Sequence, residues 1–230
     1  MIIYTYTERG LYFVIKIIIL HIMIIYTDKT NKICVYIHIP KNSGKHMRKE
    51  IKSKNNIITE YWGYKDIDLA HIPFMFRNKY IQEPENKYYY SYSRNPYQRL
   101  ISAYFYLNPE KSYYNFIDFC KNKLPKYNFN LSFHKDYIHY YPQYLFVCDD
   151  TFKVSIDVNK LEDLQYKGFK LKKYELLLYY NNETLKIVND IYSKDFELFG
   201  YKKITNIYNN YLYILFIILF IILLFYYLFI

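Results

Sequence analysis

The sequence contains few cysteines, and their spacing argues against a zinc site. The 230 residues include 3 cysteines, Cys34, Cys120 and Cys148, which lie far apart and form no C-x-x-C pair. A zinc site draws its cysteines from close pairs, whereas a disulfide between two of the three is possible but not implied. We therefore expect three buried thiols and no bound metal.

Glycine is also scarce, with 5 in the whole chain, and a Walker-type phosphate loop is missing. That loop needs a glycine five residues before Gly44 and a Ser or Thr after Lys45. The sequence has Ile39 and His46 at these positions. A nucleotide kinase or nucleoside-triphosphatase is therefore a disfavoured alternative.

Acidic residues are outnumbered, and this imbalance favours anionic partners. The chain has 31 Lys and Arg against 21 Asp and Glu, a formal charge of +10. Nucleotides, sulfated or phosphorylated substrates, nucleic acid and membrane surfaces all fit this charge, and its sign does not choose among them. The length allows one ordinary domain with short extensions.

A buried strand followed by a basic turn is the stretch around which we expect the chain to be organised. Six of the seven residues from Ile33 to Ile39 are β-branched, aromatic or cysteine, as in a strand covered on both faces. Pro40 ends this strand, and a short helix is expected from Ser43 to Lys54. This turn brings together backbone N–H groups, lysines and a helix N-terminus. These are the groups that bind phosphate or sulfate in proteins.

A second segment predicts a partner for this anion site. Residues 88–93 read as a strand, and Pro96 suits the first turn of a helix that runs to about Leu107. Arg94 ends the strand, and Ser102 lies about two turns into the helix. Both side chains are suited to one phosphate, the guanidinium as a fork and the hydroxyl as a single donor.

These patterns predict an α/β fold with a P-loop-like central parallel sheet around Lys41 and flanking helices. Further elements are expected as a helix over 113–122, a strand over 153–158, and a helix capped by Asn182 that stops at Gly200. The expected domain limits are 1–32, 33–203 and 211–230.

The two ends of the chain are expected to be extensions. Residues 1–32 hold a 16-residue apolar stretch, which is shorter than the roughly 20 residues that span a bilayer. Three interpretations stay open: a signal-anchor, an added strand, or a dispensable segment with Met23 as the true start. Residues 211–230 carry no charge, Gly or Pro and would reach roughly 30 Å as a helix. They predict a C-terminal transmembrane helix and a single-pass membrane protein.

Several phrases between residues 33 and 201 are similar to those of one enzyme family. Ile39–Gly44 resembles I-P-K-T-G-G, and Arg94–Phe105 resembles R-N-P-Y-D-R-L-V-S-A-Y-F with changes at Gln98 and Ile101. Four weaker similarities follow in the order in which the family has them. His71–Phe74 resembles H-x-P-[YF], and His139–Gln143 resembles H-x-x-P-Q. Leu161–Leu164 resembles F-E-N-L, and Tyr192–Tyr201 resembles Y-x-x-D-F-x-x-F-G-Y. The family is that of the heparan, chondroitin and dermatan type carbohydrate sulfotransferases, which use 3′-phosphoadenylyl sulfate.

The resemblance implies a role for each matching residue. The donor-binding residues would be Lys41, Asn42, Ser43, Gly44, Lys45, Arg94 and Ser102. Lys41 would neutralise the bridging oxygen as the bond to sulfur breaks. His71 would accept the proton of the acceptor hydroxyl, since histidine titrates near neutral pH. His139 would be the alternative base or a contact to the acceptor, and no metal is required.

The implied function is transfer of a sulfuryl group from 3′-phosphoadenylyl sulfate to a carbohydrate hydroxyl. The expected partners are a glycan acceptor and a membrane, and not nucleic acid. One departure keeps a catalytically inactive, membrane-anchored binding protein open, because Lys45 and His46 stand where the family has a hydroxyl residue. The side of the membrane also stays open, since Lys202 and Lys203 favour the cytosol whereas the family works in the Golgi lumen.

Overall fold

The computed structural model of the chain describes residues 4–7, 10–13, 23–61, 63–64, 67–80, 84–129, 137–164, 176, 178–207, 219–220, 222–223 and 225–227. The strands are β1 (Tyr4–Thr7), β2 (Gly10–Phe13), β3 (Met23–Thr27), β4 (Ile33–Tyr36), β5 (Asn56–Tyr61), β6 (Gly63–Tyr64), β7 (Ile67–Asp68), β8 (Lys87–Ser93) and β9 (Asp157–Lys160). The helices are α1 (Gly44–Lys54), α2 (Arg77–Tyr80), α3 (Pro96–Leu107), α4 (Tyr113–Asp118), α5 (Asn182–Ile191) and α6 (Ser193–Leu198).

Five strands form one sheet in the order β5-β3-β4-β8-β9, and β1–β2 and β6–β7 are separate antiparallel pairs. The α/β class is confirmed, but the prediction of a parallel sheet is wrong for half of it. Strands β4, β8 and β9 are parallel, whereas β3 is antiparallel to both of its neighbours. A short turn from Asp28 to Lys32 connects β3 to β4, and in it the Asp28 N–H donates to the Lys32 carbonyl at 3.0 Å. A connection this short permits only antiparallel pairing, which sets the direction of β3.

The prediction of a C-terminal transmembrane helix, and with it of a single-pass membrane location, is wrong. No helix among the described residues is both long and apolar enough to cross a membrane. An apolar composition is not sufficient, because a span needs about 20 residues in one continuous helix. Within 211–230 the structure describes helical residues only at 219–220, 222–223 and 225–227, and their side chains are exposed. The rest of the predicted span lies outside the described residues.

Strand β4 is buried on both faces, as its sequence predicts. Val35 and the following Ile37 pack in one apolar cluster with Phe146, and Tyr36 packs in another with Met47 of α1. Because β4 and β8 run parallel, their carboxyl ends meet at one edge of the sheet. The loop after Ile39 and the residue Arg94 therefore start from neighbouring strand ends.

Most of the predicted helices are found close to their expected bounds, with small corrections. Helix α4 stops at Asp118 and continues as a π-helical turn over Phe119–Lys123. Asn181, not Asn182, caps α5, and the helix breaks at Tyr192 before α6 begins. Gly200 follows with a φ of 62°, the left-handed conformation expected where a helix ends. All three cysteines are buried free thiols, as predicted.

Candidate functional site

The predicted anion site is a strained loop of four residues between Ile39 and α1. Lys41 and Ser43 have φ angles of 69° and 59°, although neither is glycine. Such left-handed residues cost of order 1 kcal/mol each and collect at functional sites. The Ser43 carbonyl accepts the N–H of Met47 at 3.0 Å, so α1 begins at once. The first turn of α1 holds no acidic residue, and the N–H groups and dipole of a helix N-terminus favour an anion at the loop.

Side chains from the neighbouring strand and helix hold this loop in place. Arg99 donates from Nε to the Pro40 carbonyl at 2.9 Å, and Arg94 donates from Nη1 to the Lys41 carbonyl at 3.1 Å. Asn42 is fully buried and donates from Nδ2 to the Tyr92 carbonyl at 2.6 Å. The sequence did not single out Arg99, although it lies inside the phrase that contains Arg94. These bonds stabilise the strained backbone.

Gln143 joins the loop to the end of β8. Its Oε1 accepts the Asn42 Nδ2 and the Arg94 N–H, each at 2.9 Å, and its Nε2 donates to the Arg94 carbonyl at 2.8 Å. Its own N–H donates to Asp195 at 2.8 Å, and the N–H of Tyr144 donates to the other carboxylate oxygen at 2.9 Å. Burial raises the pKa of Asp195, and these hydrogen bonds oppose that effect, so that the pKa is about 6. In the sequence, Gln143 and Asp195 were noted only as positions of the weaker family-like motifs. The structure shows that they position the loop and Arg94.

A second carboxylate fixes the start of α3. Glu162 accepts the N–H of Asn95 at 2.7 Å and the hydroxyl of Tyr201 at 2.8 Å. Asn95 caps the helix, since its side chain accepts the N–H of Tyr97 at 3.1 Å. Glu162 and Tyr201 also come from the weaker family-like motifs, so the signal that could have identified them was present in the sequence.

The site concentrates positive charge. Burial, and after it the nearby cations Arg94, Lys45 and Arg99, together lower the pKa of Lys41 to about 8. Burial likewise lowers the pKa of Arg94 to about 10, with Glu162 acting in the opposite direction. Lys41 therefore carries its proton at neutral pH but holds it more weakly than an exposed lysine does. A bound anion would relieve the repulsion among these cations.

Tyr106 lies beside Lys41, and three imidazoles continue from it in a row of ring contacts. The Lys41 Nζ stands 3.7 Å from the centre of the Tyr106 ring, whose centroid is 5.2 Å from that of His139. The rings of His139 and His71 are 5.3 Å apart, and those of His71 and His38 are 4.8 Å apart. The two predicted base candidates are thus neighbours. Within the described part of the chain, no group of three or more His, Cys, Asp or Glu residues is arranged to hold a metal ion.

His38 was not predicted as a site residue, and the structure places it directly under the loop. It is buried in the segment that leaves β4, with 3% of its surface exposed. A Cβ atom built on Gly44 would lie 2.0 Å from the His38 Nε2, so only glycine fits at that position. The conformation of the loop is therefore tied to the position of this imidazole.

The remaining predicted donor-binding residues lie in the loop, on α1 and on α3. Ser43 Oγ is buried, and no side chain or backbone group in the described ranges hydrogen-bonds to it. Lys45 is exposed at the first turn of α1. Ser102 is half-buried on α3, one turn before Tyr106 and therefore on the same face of that helix.

Comparisons of this chain with protein-family models, with curated proteins and with solved structures found no match. The resemblance to carbohydrate sulfotransferases therefore depends on the phrases quoted above.

Proposed function

We propose that this protein transfers a sulfuryl group from 3′-phosphoadenylyl sulfate to a hydroxyl group of a carbohydrate. The observation that carries the proposal is the hydrogen bond between Arg94 and the Lys41 carbonyl. It joins, across 53 residues of chain, the two segments that resemble the two phosphate-binding phrases of the family. A donor with a phosphosulfate at one end and a 3′-phosphate at the other needs two such cationic places held at a fixed separation.

The loop suits the phosphosulfate end of the donor. The N–H groups of Ser43, Gly44 and Lys45, together with the N-terminus of α1, offer hydrogen bonds and a positive dipole end. The Asn42 N–H already donates to the Ile39 carbonyl at 3.2 Å. Ser43 supplies a hydroxyl within the loop, one glycine before the position where the family's hydroxyl residue is replaced. Lys45 adds a charge that already acts on Lys41. The departure from the family phrase therefore leaves both kinds of donor group in place.

The transfer step needs charge stabilisation more than covalent chemistry. The bond between sulfur and the bridging phosphate oxygen breaks, and a bond from sulfur to the acceptor oxygen forms. Lys41 neutralises the negative charge that develops on the bridging oxygen. The acceptor hydroxyl loses its proton to a base on the opposite side of the sulfur.

His71 is the proposed base, and His139 contacts the acceptor. His71 is 2% exposed, whereas His139 is half-buried, so the second imidazole lies nearer to solvent and to an entering sugar. Tyr106 links the pair to Lys41 through ring contacts.

Calorimetry with 3′-phosphoadenosine 5′-phosphate tests the donor site. Arg94→Ala should weaken binding by roughly 10- to 100-fold, because a charge-assisted hydrogen bond contributes about 1.5–3 kcal/mol. Ser102→Ala should weaken it only by about 2- to 10-fold, as a neutral hydrogen bond does. Lys186→Ala, an exposed change on α5, is the matched control for lost charge. Because Arg94 also bonds the loop, thermal unfolding of each variant must show that it is folded.

The absence of binding by the unaltered protein, or equal binding by a folded Arg94→Ala variant, would refute the proposed donor. Transfer of labelled sulfate to a panel of glycans then tests catalysis. Lys41→Ala and His71→Ala should each abolish transfer, and His71→Ala should keep its affinity for the nucleotide. Binding without transfer to any glycan would indicate the inactive binding protein instead. Transfer that survives in His71→Ala would move the base to His139.

A further inference from the structure

Tyr106 occupies the point where the proposed leaving-group cation meets the proposed base. It lies on α3, and 48% of its surface is exposed. One contact joins its ring face to the Lys41 Nζ, 3.7 Å from the ring centre. Another joins it to the His139 ring at 5.2 Å, with the two planes tilted by 38°. Neither the sequence pattern nor the proposed mechanism assigns this residue a role.

We propose that Tyr106 is a positioning residue, which holds the Lys41 ammonium group over its ring and keeps that group protonated at neutral pH. The inference rests on the proposed function for the use that is made of the ammonium charge. The contact itself is testable without any donor or acceptor.

The charges around Lys41 explain why such a partner is needed. The groups that act on its charge are Arg94 and Arg99, beside the loop on the side of β8 and α3, and Lys45 on α1. All three are cations and favour the neutral amine. The electron-rich face of a tyrosine ring attracts a cation and favours the ammonium form. His139 touches the same ring, so a charge on its imidazole would compete for it.

The ring also determines where the ammonium group lies. A lysine side chain is a flexible four-carbon stem that does not fix its own end. Ser102 and Tyr106 are one turn apart on α3, so the ring carries Lys41 to the helix face that also presents the proposed 3′-phosphate hydroxyl. The same ring stands beside His139 and, through it, His71. One aromatic side chain thereby locates the cation relative to both proposed reaction partners.

The test is an NMR titration of the protein with ¹³C-methylated lysines, a modification that keeps the positive charge. The Lys41 signal is the one lost in Lys41→Arg. In the unaltered protein it should titrate near pH 8. Tyr106→Leu, which removes the ring from an exposed position, should lower that midpoint by roughly 0.5 to 1 pH unit. Tyr106→Phe should leave it within about 0.2, because the ring face remains. Tyr114→Leu removes a tyrosine of α4 that is 80% exposed and should have no effect.

An unchanged Lys41 midpoint in Tyr106→Leu would overturn the inference. So would an equal shift in Tyr106→Phe, which would assign the effect to the hydroxyl group. Affinity for 3′-phosphoadenosine 5′-phosphate across the same pH range separates this result from the proposed function. If the nucleotide binds neither protein, the donor is wrong while the titration still decides the role of Tyr106. If it binds, the affinity of Tyr106→Leu should begin to fall at a lower pH than that of the unaltered protein.

Discussion

At the scale of single residues, strain and close packing concentrate around one loop. Lys41 and Ser43 have left-handed backbones, and at Gly44 the His38 imidazole leaves no room for a Cβ atom. The two left-handed residues each cost free energy that a relaxed loop would not. The hydrogen bonds of Asn42 and Arg99 hold the loop despite this cost. A strained segment that is so firmly held is typical of a binding site.

The contact between Gly44 and His38 predicts a strong and specific coupling. Gly44→Ala should lower the free energy of unfolding by about 1–3 kcal/mol, because its new methyl group overlaps the imidazole. Adding His38→Ala removes the ring, so the double variant should be at least about 1 kcal/mol more stable than the sum of the single effects predicts. Urea denaturation of the four proteins measures this.

Gly200→Ala supplies the control for that cycle. Gly200 also has a positive φ, so alanine is strained there, but the nearest neighbour of its added Cβ would be the Lys160 Nζ at 3.5 Å. Its effect should therefore add to that of His38→Ala without coupling. Simple additivity for Gly44→Ala with His38→Ala would contradict the close contact.

At the scale of elements, α1 breaks the usual rule of charge pairing. Lys45, Arg48, Lys49 and Lys52 stand at spacings of three and four residues, which place like charges side by side. The acid of this helix, Glu50, is already paired with Lys54 at 2.6 Å. The helix is retained because Met47 and Ile51 are buried against the sheet. The clustered positive charge of α1 destabilises the helix but favours an anion at the loop.

Lys49→Glu should therefore stabilise the protein. The change replaces repulsion by attraction toward Lys45 and Lys52 and should raise the free energy of unfolding by about 0.5–1 kcal/mol at low salt. Because these groups are exposed, the gain should vanish at about 1 M salt. Lys186→Glu on α5 is the opposite control, since it would face Glu183 and Asp190 at spacings of three and four. Urea denaturation at two salt concentrations decides, and a stability loss in Lys49→Glu would contradict this reading.

The elements also show why part of the fold was predictable. Helix α3 was predicted because its signals are local: Pro96 at its first position and an apolar period that continues to Leu107. Strand β9 was predicted several residues too early, since among the described strands it pairs with β8 alone and its residues alternate between exposed and half-buried. The break at Tyr192 was missed because the apolar period passes through it unchanged. The role of Gln143 depends on Asp195, 52 residues away, which no local pattern reveals.

At the scale of the whole molecule, the site gathers cations from distant segments, and this opposes folding. The burial of Lys41 among Arg94, Lys45 and Arg99 lowers its pKa from 10.5 to about 8. A cation whose pKa is depressed by folding contributes stability above its unfolded pKa, and this contribution is lost as the pH falls through the folded pKa. Stability from this residue should therefore increase between pH 8 and 10.5 and be lowest at neutral pH.

Lys41→Met should accordingly stabilise the protein at pH 7 while it removes anion binding. Methionine keeps most of the side-chain length without the charge, and we expect a gain of about 1–2 kcal/mol after allowing for partial solvent screening. The difference from the unaltered protein should shrink as the pH rises from 8 to 10.5, because Lys41 then loses its own charge. Comparing the two proteins at each pH cancels the titration of the tyrosines, and Lys186→Met should show no such window. Urea denaturation from pH 7 to 10.5 measures the effect.

A Lys41→Met variant that is less stable at pH 7, or a difference in stability that does not narrow with pH, would show that the cation is not held at a cost in stability. Saturating 3′-phosphoadenosine 5′-phosphate should reverse the order at pH 7, since a ligand stabilises only the protein that binds it.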